Sequence, residues 1–212
     1  MNVKINRLKI ASLLTCVLFS CFFGFAQGAT STFKAQIALG INSPSSNGFV
    51  EDFKGKSVNF PTVNLGLQYM FKPVWGAKLD YGFNRISNDD TSQAFKLNYS
   101  RINAQLVYDA SRAISISQKT GVFLHAGPGI SMLKPLGNFG NNKTSYLNAM
   151  AGLELHYGVS DSLTLYLDTA YILGFGKEFN PVSSGFGAFN GNLLTITFGA
   201  SISLSGCYYC GD

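Results

Sequence analysis

Charged residues are scarce in this sequence of 212 residues. They make up 13% of the chain, about half of the roughly 25% that is usual in a soluble globular protein. This scarcity argues against an ordinary cytosolic enzyme, and the 14% of aromatic residues argues against a disordered chain, because disordered chains are highly charged and poor in aromatics. The sequence also lacks a Walker loop, a G-x-G-x-x-G motif and a set of zinc ligands. We therefore expect no cofactor and no metal.

The N-terminal segment has the features of a secretory signal peptide. Three basic residues within the first nine positions precede an apolar run from Ile10 to Phe25, and Gly24 and Ala26 supply the small residues of a cleavage site. We predict that residues 1–26 are removed, with a retained anchor or a lipoprotein signal ending at Cys21 as alternatives. Cleavage removes three basic and no acidic residues, so the formal net charge falls from +5 to +2. No basic patch then remains to indicate a nucleic-acid partner.

Cysteine is almost absent from the mature chain. Cys207 and Cys210 lie in a short tail, residues 205–212, which we place in the periplasm. Their spacing matches a redox motif or half of a zinc site, but neither a thioredoxin-like domain nor a second pair of ligands accompanies them. An exported chain meets oxidising conditions, so a disulfide within the tail, or two free thiols, is the interpretation that we favour.

Long apolar runs are also missing after the signal segment, so no stretch has the roughly 18 residues of a membrane helix. Instead, apolar residues alternate with small or polar ones in eight successive segments. The predicted strands cover residues 33–42, 63–71, 77–84, 95–108, 122–131, 147–157, 163–174 and 194–204. In the fourth strand the apolar residues change face: Phe95, Leu97 and Tyr99 stand at odd positions, whereas Ile102 stands at an even one, so their parity is opposite. Either a β-bulge near Ser100 reconciles the two halves or the upper half projects beyond the sheet.

Two all-β architectures produce such alternation, a soluble sandwich and a transmembrane barrel. Polar faces rich in Gly, Ser, Thr and Asn, apolar faces about ten residues long and aromatic residues near the strand ends favour the barrel. We predict an eight-stranded antiparallel up-and-down transmembrane β-barrel over residues 27–204. The longer connections are residues 43–60, 85–94, 133–145 and 176–192, and they alternate with two tight turns and with a longer stretch near residues 110–120 that we interpret as partly an extension of the strands. This alternation predicts four external loops and two periplasmic termini.

In these features of its sequence the chain resembles the small outer-membrane β-barrels of the OmpA/OmpX type from Gram-negative bacteria. The resemblance covers about residues 30–204 and rests on the signal segment, the eight strands, the loop alternation, the stretch Ala126–Ser131 and the last strand, Leu194–Leu204. The chain departs from the pattern because the terminal aromatic residue is absent and Ser205–Asp212 follow. The resemblance implies a monomer in the bacterial outer membrane, assembled by the barrel-assembly machinery and surrounded by outer-membrane lipids and lipopolysaccharide.

Charged residues within the predicted strands fall on the inward face. They are three cations, three carboxylates and two histidines: Lys34, Lys78, Arg101, Asp80, Glu154, Asp168, His125 and His156. The interior of an eight-stranded barrel is just wide enough for its side chains, so buried charges must be paired. We interpret this set as a salt-bridged plug, with an ion pathway as the alternative.

Catalytic residues are not evident. Some small outer-membrane barrels modify lipid A with a His/Ser pair on the lipid face, but His156 is expected inside the barrel and Ser160 in a turn. The loop residues Glu51, Asp52, Asp89 and Asp90 could bind a divalent cation or form solvated loop tips. We predict a structural and surface-interaction protein that is not an enzyme and whose external ligand is unknown. A small non-specific pore is the alternative, followed by a lipid-modifying enzyme.

Overall fold

A computed structural model of the chain describes residues 32–49, 53–114, 117, 119–141, 143–176, 189 and 191–204. The described residues form eight strands: β1 (Thr32–Pro44), β2 (Asn59–Met70), β3 (Trp75–Ser87), β4 (Lys96–Asp109), β5 (Thr120–Pro135), β6 (Thr144–Gly158), β7 (Leu163–Gly174) and β8 (Leu193–Ser203). Each strand pairs antiparallel with the next, and β8 pairs with β1, so the sheet closes into a barrel. The predicted eight-stranded up-and-down barrel is confirmed.

The period of two in the sequence separates an outer from an inner face on every strand. Outward side chains are apolar and exposed, as shown by Leu147 at 65% and Ile37 at 58%, whereas Gln68 and Arg101 on the inner face are at 0%. A soluble protein places its apolar residues inside, so this barrel has the reverse distribution. Among the residues described, no helix has the length and hydropathy required to cross a membrane.

Aromatic side chains collect on the outer surface at one end of the barrel. Phe71, Trp75 and Tyr157 are exposed there, and the rings of Trp75 and Tyr108 lie 4.9 Å apart. This end carries the short connections β2–β3 and β6–β7, and we call it the turn end. At the opposite end, which we call the loop end, Phe60 and Phe175 are exposed. Aromatic rings at both borders of an apolar band are typical of proteins that sit at membrane–water interfaces.

The upper half of β4 does not follow either prediction made for it. Its pairing with β3 runs without a register shift from Trp75↔Tyr108 to Ser87↔Lys96, so there is no bulge near Ser100 and no projection beyond the sheet. Phe95, Leu97 and Tyr99 instead lie inside the barrel, at 4%, 0% and 1% exposure. The interior is therefore polar at mid-height and apolar at the loop end.

Val122 begins the fifth predicted strand, whose alternation predicts that it lies on the outer face with Leu124, yet it is also buried. Val122 is only 2% exposed, because the chain that follows β4 folds back along the start of β5. The amide of Ala110 donates to the carbonyl of Val122, and the amide of Val122 donates to the hydroxyl of Ser111. The connection between β4 and β5 thus covers the edge of the barrel at the turn end.

Candidate functional site in the barrel interior

The concentrated chemistry of this chain lies in the barrel interior at mid-height. The eight charged or imidazole side chains predicted to point inward are all buried there, with exposed fractions from 0% to 4%: Lys34, Lys78, Asp80, Arg101, His125, Glu154, His156 and Asp168. They come from six strands, and the alternation of each strand directs them to the same space. We call this set the charged layer.

Glu154 on β6 is the residue through which opposite walls of the barrel are joined. Its Oε1 lies 2.5 Å from Nζ of Lys78, which is on β3, three strands away around the wall. Its Oε2 lies 2.6 Å from Nε2 of His156 and accepts a hydrogen bond of 3.3 Å from the side-chain amide of Gln36 on β1. Three strands therefore converge on one carboxylate, which is the kind of multiple pairing that a buried charge requires.

A second ion pair joins the neighbouring strands β3 and β4. A guanidinium nitrogen of Arg101, Nη1, pairs with Oδ2 of Asp80 and also donates to the amide oxygen of Asn103 at 3.3 Å, while Nη2 donates to that of Asn64 at 3.1 Å. Gly82 makes room for this guanidinium, because a Cβ at position 82 would lie 2.6 Å from Nε of Arg101. The glycine in β3 is thus part of the site.

His125 on β5 links the ion pairs to the far wall of the barrel. Its Nε2 lies 3.1 Å from Oδ1 of Asp168 on β7, and its Nδ1 contacts the amide oxygen of Gln105. The nitrogen of the same amide group points to Oδ2 of Asp80 at 3.5 Å. Gly152 leaves space for the imidazole, since a Cβ there would collide with Nε2 of His125. Gln105 therefore connects the histidine to the ion pair of β3 and β4.

Lys34 lies toward the turn end of the same layer. Its Nζ is 5.1 Å from the ring centre of Phe123, a distance at which a cation is attracted by an aromatic face. The ring of Phe123 also lies 4.7 Å from that of His156, and His156 stacks on Tyr166 at 5.1 Å. The charged layer is thereby continuous with aromatic packing.

The donor set of the layer also defines the one group of three potential metal ligands within the described residues. Ligand atoms of His125, Glu154 and Asp168 all lie within 4.8 Å of one another. Both oxygens of Glu154 are already engaged, by Lys78 and by His156. A cation at this point would have to displace the ammonium group of Lys78, so the arrangement fits an ion-paired network better than a metal centre.

A chain of neutral groups continues the polar network toward the loop end. The amide of Asn103 donates to Asn148 at 2.5 Å, Asn148 donates to the hydroxyl of Ser131 at 2.8 Å, and that hydroxyl lies 2.7 Å from the hydroxyl of Tyr99. Asn103, Asn148 and Ser131 were not among the predicted site residues, because their side chains carry no ionisable group. Their inward parity on the strands was the signal that could have found them.

Above Tyr99 the interior is filled by an apolar cluster, which we call the aromatic cap. Its buried members are Ile86, Phe95, Leu97, Tyr99, Leu133, Tyr146, Met150, Ala170, Ile172, Phe189 and Leu193, and Phe49, Phe53 and Phe139 pack against it. The rings of Phe49 and Phe189 lie 4.8 Å apart, and the hydroxyl of Tyr146 donates to the carbonyl of Phe189 at 2.6 Å. At the turn end a smaller cluster of Met70, Val107 and Phe123 is buried. Apolar packing thus lies on both sides of the charged layer.

The remaining candidate residues do not form a site in the described part of the chain. His156 is buried, whereas Ser160 is exposed in a turn, where its hydroxyl accepts from the amide of Leu163 at 3.2 Å. The carboxylate of Asp90 is 3.8 Å from Nζ of Lys56, with both side chains largely exposed, and Asp89 accepts from the amide of Asp90. The predicted signal segment lies outside the described part of the chain. So do four of the candidate residues: Glu51, Asp52, Cys207 and Cys210.

Comparison with known proteins identifies the fold. No family model matches the chain, and no curated protein matches its sequence. Among solved structures, a major outer-membrane protein from Thermus thermophilus has a TM-score of 0.59 at 11% identity, covering 82% of this chain and 99% of that one. Neisserial surface protein A has a TM-score of 0.55 at 14% identity, covering 83% and 99%. The outer-membrane protein OprG from Pseudomonas aeruginosa has a TM-score of 0.52 at 11% identity, covering 82% and 96%.

These likenesses confirm, at the level of the fold, the resemblance to small outer-membrane barrels. Each of the three solved structures is matched over nearly its whole length, so the similarity extends to the complete barrel rather than to a local sheet. Identities of 11–14% carry no information about which residues act.

Proposed function

We propose that this protein is an outer-membrane barrel whose filled interior makes it a rigid scaffold for the loops at one end. The observation that carries the proposal is the reversed distribution of polarity, with paired charges inside and apolar side chains outside. Soluble monomers rarely expose contiguous apolar patches larger than a few hundred Å². A band of exposed Leu, Ile and Phe on all eight strands is instead the surface that a lipid bilayer solvates.

The orientation that we propose follows from the connections. Four of them lie at the loop end, residues 45–58, 88–95, 136–143 and 175–192. At the other end β2–β3 and β6–β7 are tight turns, whereas the third connection, residues 110–119, is slightly longer than the two shortest loops. β1 starts and β8 finishes at the turn end. In bacterial outer-membrane barrels, short turns face the periplasm and long loops face outward. Both termini are then periplasmic, and the aromatic cap lies beneath the external loops.

The packing of the interior supports a scaffold rather than a pore. A solute crossing the barrel would have to pass the aromatic cap and the cluster of Met70, Val107 and Phe123. Between them it would have to separate Lys78 from Glu154, a buried ion pair between strands that do not pair with each other. Breaking such pairs is costly because each charge is left without water or a partner. A lipid-modifying activity receives no support, because His156 lies inside the barrel, away from the lipid-facing surface.

Labelling of introduced cysteines tests the location and the orientation. Gln93 in the β3–β4 loop and Ser162 in the β6–β7 turn are both exposed, and each is replaced by cysteine in a chain that also carries Cys207→Ser and Cys210→Ser. In intact cells we expect a membrane-impermeant maleimide to label Gln93→Cys but to reach Ser162→Cys only after lysis. The parent without an introduced cysteine is the control. Labelling of Ser162→Cys alone in intact cells would reverse the proposed orientation.

Shortening the loops one at a time tests the scaffold role. Replacing residues 89–94 by a short Gly-Ser linker leaves the strands and the aromatic cap in place, and the replacements in the other three loops are limited to segments that keep Phe49, Phe53, Phe139 and Phe189. We expect every variant to fold and at least one to lose attachment of cells to a surface or sensitivity to a phage. In planar bilayers we expect no discrete openings from the unaltered protein. Regular openings, together with unchanged attachment in all four variants, would favour the pore.

A further inference from the structure

The outer wall formed by β3, β4 and β5 changes character toward the loop end. Register places its outward residues in rows across the three strands. In ascending order the rows are Tyr81, Ile102 and Ile130; then Phe83, Ser100 and Met132; then Arg85, Asn98 and Lys134; and finally Ser87 with Lys96. The first row is wholly apolar, the second is mixed, and the last two carry three cations. We call Arg85, Lys96 and Lys134 the basic wall.

The three cations of the basic wall are close together and face outward. Neighbouring strands are about 4.8 Å apart and successive rows about 6.6 Å apart along a strand. Arg85 and Lys134 therefore lie roughly 10 Å apart in one row, with Lys96 one row above, between them. Lys96 and Lys134 are exposed and Arg85 is half-buried. Long side chains of this kind can converge on one anion.

No carboxylate neutralises the basic wall on these strands. The outward positions of β3, β4 and β5 carry no Asp or Glu, and among the described loop residues Asp90 pairs with Lys56. Within the described residues, Nε of Arg85 and the side-chain oxygen of Asn98, which are paired in register, have no hydrogen-bond partner. Among the described residues the wall thus has one unused donor, Nε of Arg85, and three cations without a paired carboxylate on these strands.

We propose that the basic wall binds the phosphorylated headgroup of an outer-leaflet lipid. Arginine and lysine are the side chains that bind phosphate oxygens best, and the arginine can do so with two parallel hydrogen bonds. The mixed row beneath the cations and the apolar row below it hold the acyl chains of the same lipid, with Ile102 and Ile130 of the lower row at 47% and 51% exposure. A free phosphate ion would use the cations alone. The inference rests on the proposed function, because it requires the loop end to lie at a lipid surface.

Charge removal with a matched control tests the proposal. The variant Arg85→Gln, Lys96→Gln, Lys134→Gln removes one arginine and two lysines from the wall. The control Lys72→Gln, Arg112→Gln, Lys119→Gln removes the same charges from exposed positions at the turn end. Each purified full-length protein is folded in a neutral detergent and titrated with bisphosphorylated lipid A, and bound lipid is counted by native mass spectrometry. Folding is checked by the heat-dependent shift of mobility in SDS gels.

We expect the basic-wall variant to bind bisphosphorylated lipid A on the order of 100-fold more weakly than the unaltered protein, because each cation near an anionic lipid surface contributes about fivefold. The control should bind as the unaltered protein does. Dephosphorylated lipid A should bind the unaltered protein as weakly as bisphosphorylated lipid A binds the variant. Equal binding by both variants, or by both forms of lipid A, would overturn the proposal. So would full displacement by millimolar inorganic phosphate, which would assign the site to a free anion.

The titration is independent of the labelling of cysteines in cells, so the two ideas can fail separately. If Gln93→Cys is labelled from outside but the triple variant binds lipid A normally, the basic wall is not the lipid site and the proposed orientation stands. If lipid A binding depends on the wall but Ser162→Cys is the position labelled from outside, the wall binds phosphorylated headgroups, but the proposed orientation is wrong and the lipid is not one of the outer leaflet.

Discussion

Replacing Glu154 by alanine is expected to lower the free energy of unfolding of the barrel by about 3–5 kcal/mol, because it leaves one buried charge without its partner. Nζ of Lys78 would lose the carboxylate oxygen at 2.5 Å, and both His156 and Gln36 would lose an acceptor. The measurement is urea-induced unfolding in lipid vesicles, followed by the fluorescence of Trp75, the single tryptophan of the chain. Asp161→Ala, which removes an exposed carboxylate from a turn, should change stability by no more than about 0.5 kcal/mol.

A double variant distinguishes the loss of the whole ion pair from the loss of one charge that leaves its partner buried and unpaired. Lys78→Met combined with Glu154→Leu removes both charges and keeps similar volumes. Replacing a whole buried ion pair by apolar residues is often close to neutral, so the double variant should be more stable than Glu154→Ala. If the losses of unfolding free energy caused separately by Lys78→Met and by Glu154→Leu simply add in the double variant, Lys78 and Glu154 are not coupled. The charged layer is then not held together by this pair. A Glu154→Ala protein as stable as the control would lead to the same conclusion.

The inside and outside of the barrel could be predicted from the sequence because strand parity is a local property. Residues two positions apart on a strand share a face, so the assignment of Lys34, Glu154 and their companions to the inward face needed no tertiary information. Which of them meet could not be predicted in this way. Lys78 and Glu154 are 76 positions apart and lie on strands that do not pair. Their contact depends on how the sheet curves and closes, which local patterns do not encode.

The β4 error has a specific physical cause. We expected one polarity along the whole interior, so apolar residues of opposite parity at Phe95, Leu97 and Tyr99 suggested a bulge. The interior changes from polar to apolar near Tyr99, because the loops cover that end and exclude water from it. Three other strands place an apolar residue inward at the same height, namely Ile86, Leu133 and Ile172. A parity change shared by four strands was the signal for an apolar cap rather than for an irregular strand.

The layers of the interior explain why a barrel with so many buried charges can be rigid. Charged side chains at mid-height hold each other at fixed distances across the lumen, as Glu154 does with Lys78 and Gln36. The aromatic cap above them joins strand residues to loop residues, as in the hydrogen bond of 2.6 Å from the hydroxyl of Tyr146 on β6 to the carbonyl of Phe189. In the scaffold that we propose, this packing fixes the bases of the loops, because loop residues lie in or against the cap.

A charged substitution on the outer wall should destabilise the barrel by an amount that depends on its height. The outward apolar residues of β3 run from Trp75 to Phe83, so Leu79, at 54% exposure, lies at the centre of the band. Leu79→Arg should cost about 2–4 kcal/mol of unfolding free energy in vesicles, because arginine at the bilayer midplane loses its hydration. Ser87→Arg, eight residues up the same strand beside the basic wall, should cost about 0–1 kcal/mol. Urea-induced unfolding in vesicles measures both.

Leu79→Ala is the matched control, since it removes the leucine without introducing a charge. Subtracting its effect from that of Leu79→Arg isolates the cost of the cation in hydrocarbon. If a bilayer surrounds the band, the cost of the cation is large at position 79, and the whole effect of Ser87→Arg is close to zero. If the outer wall faces water, arginine costs little at either position. Equal losses at the two heights would contradict the bilayer, and a larger loss for Ser87→Arg would move the centre of the band toward the loop end.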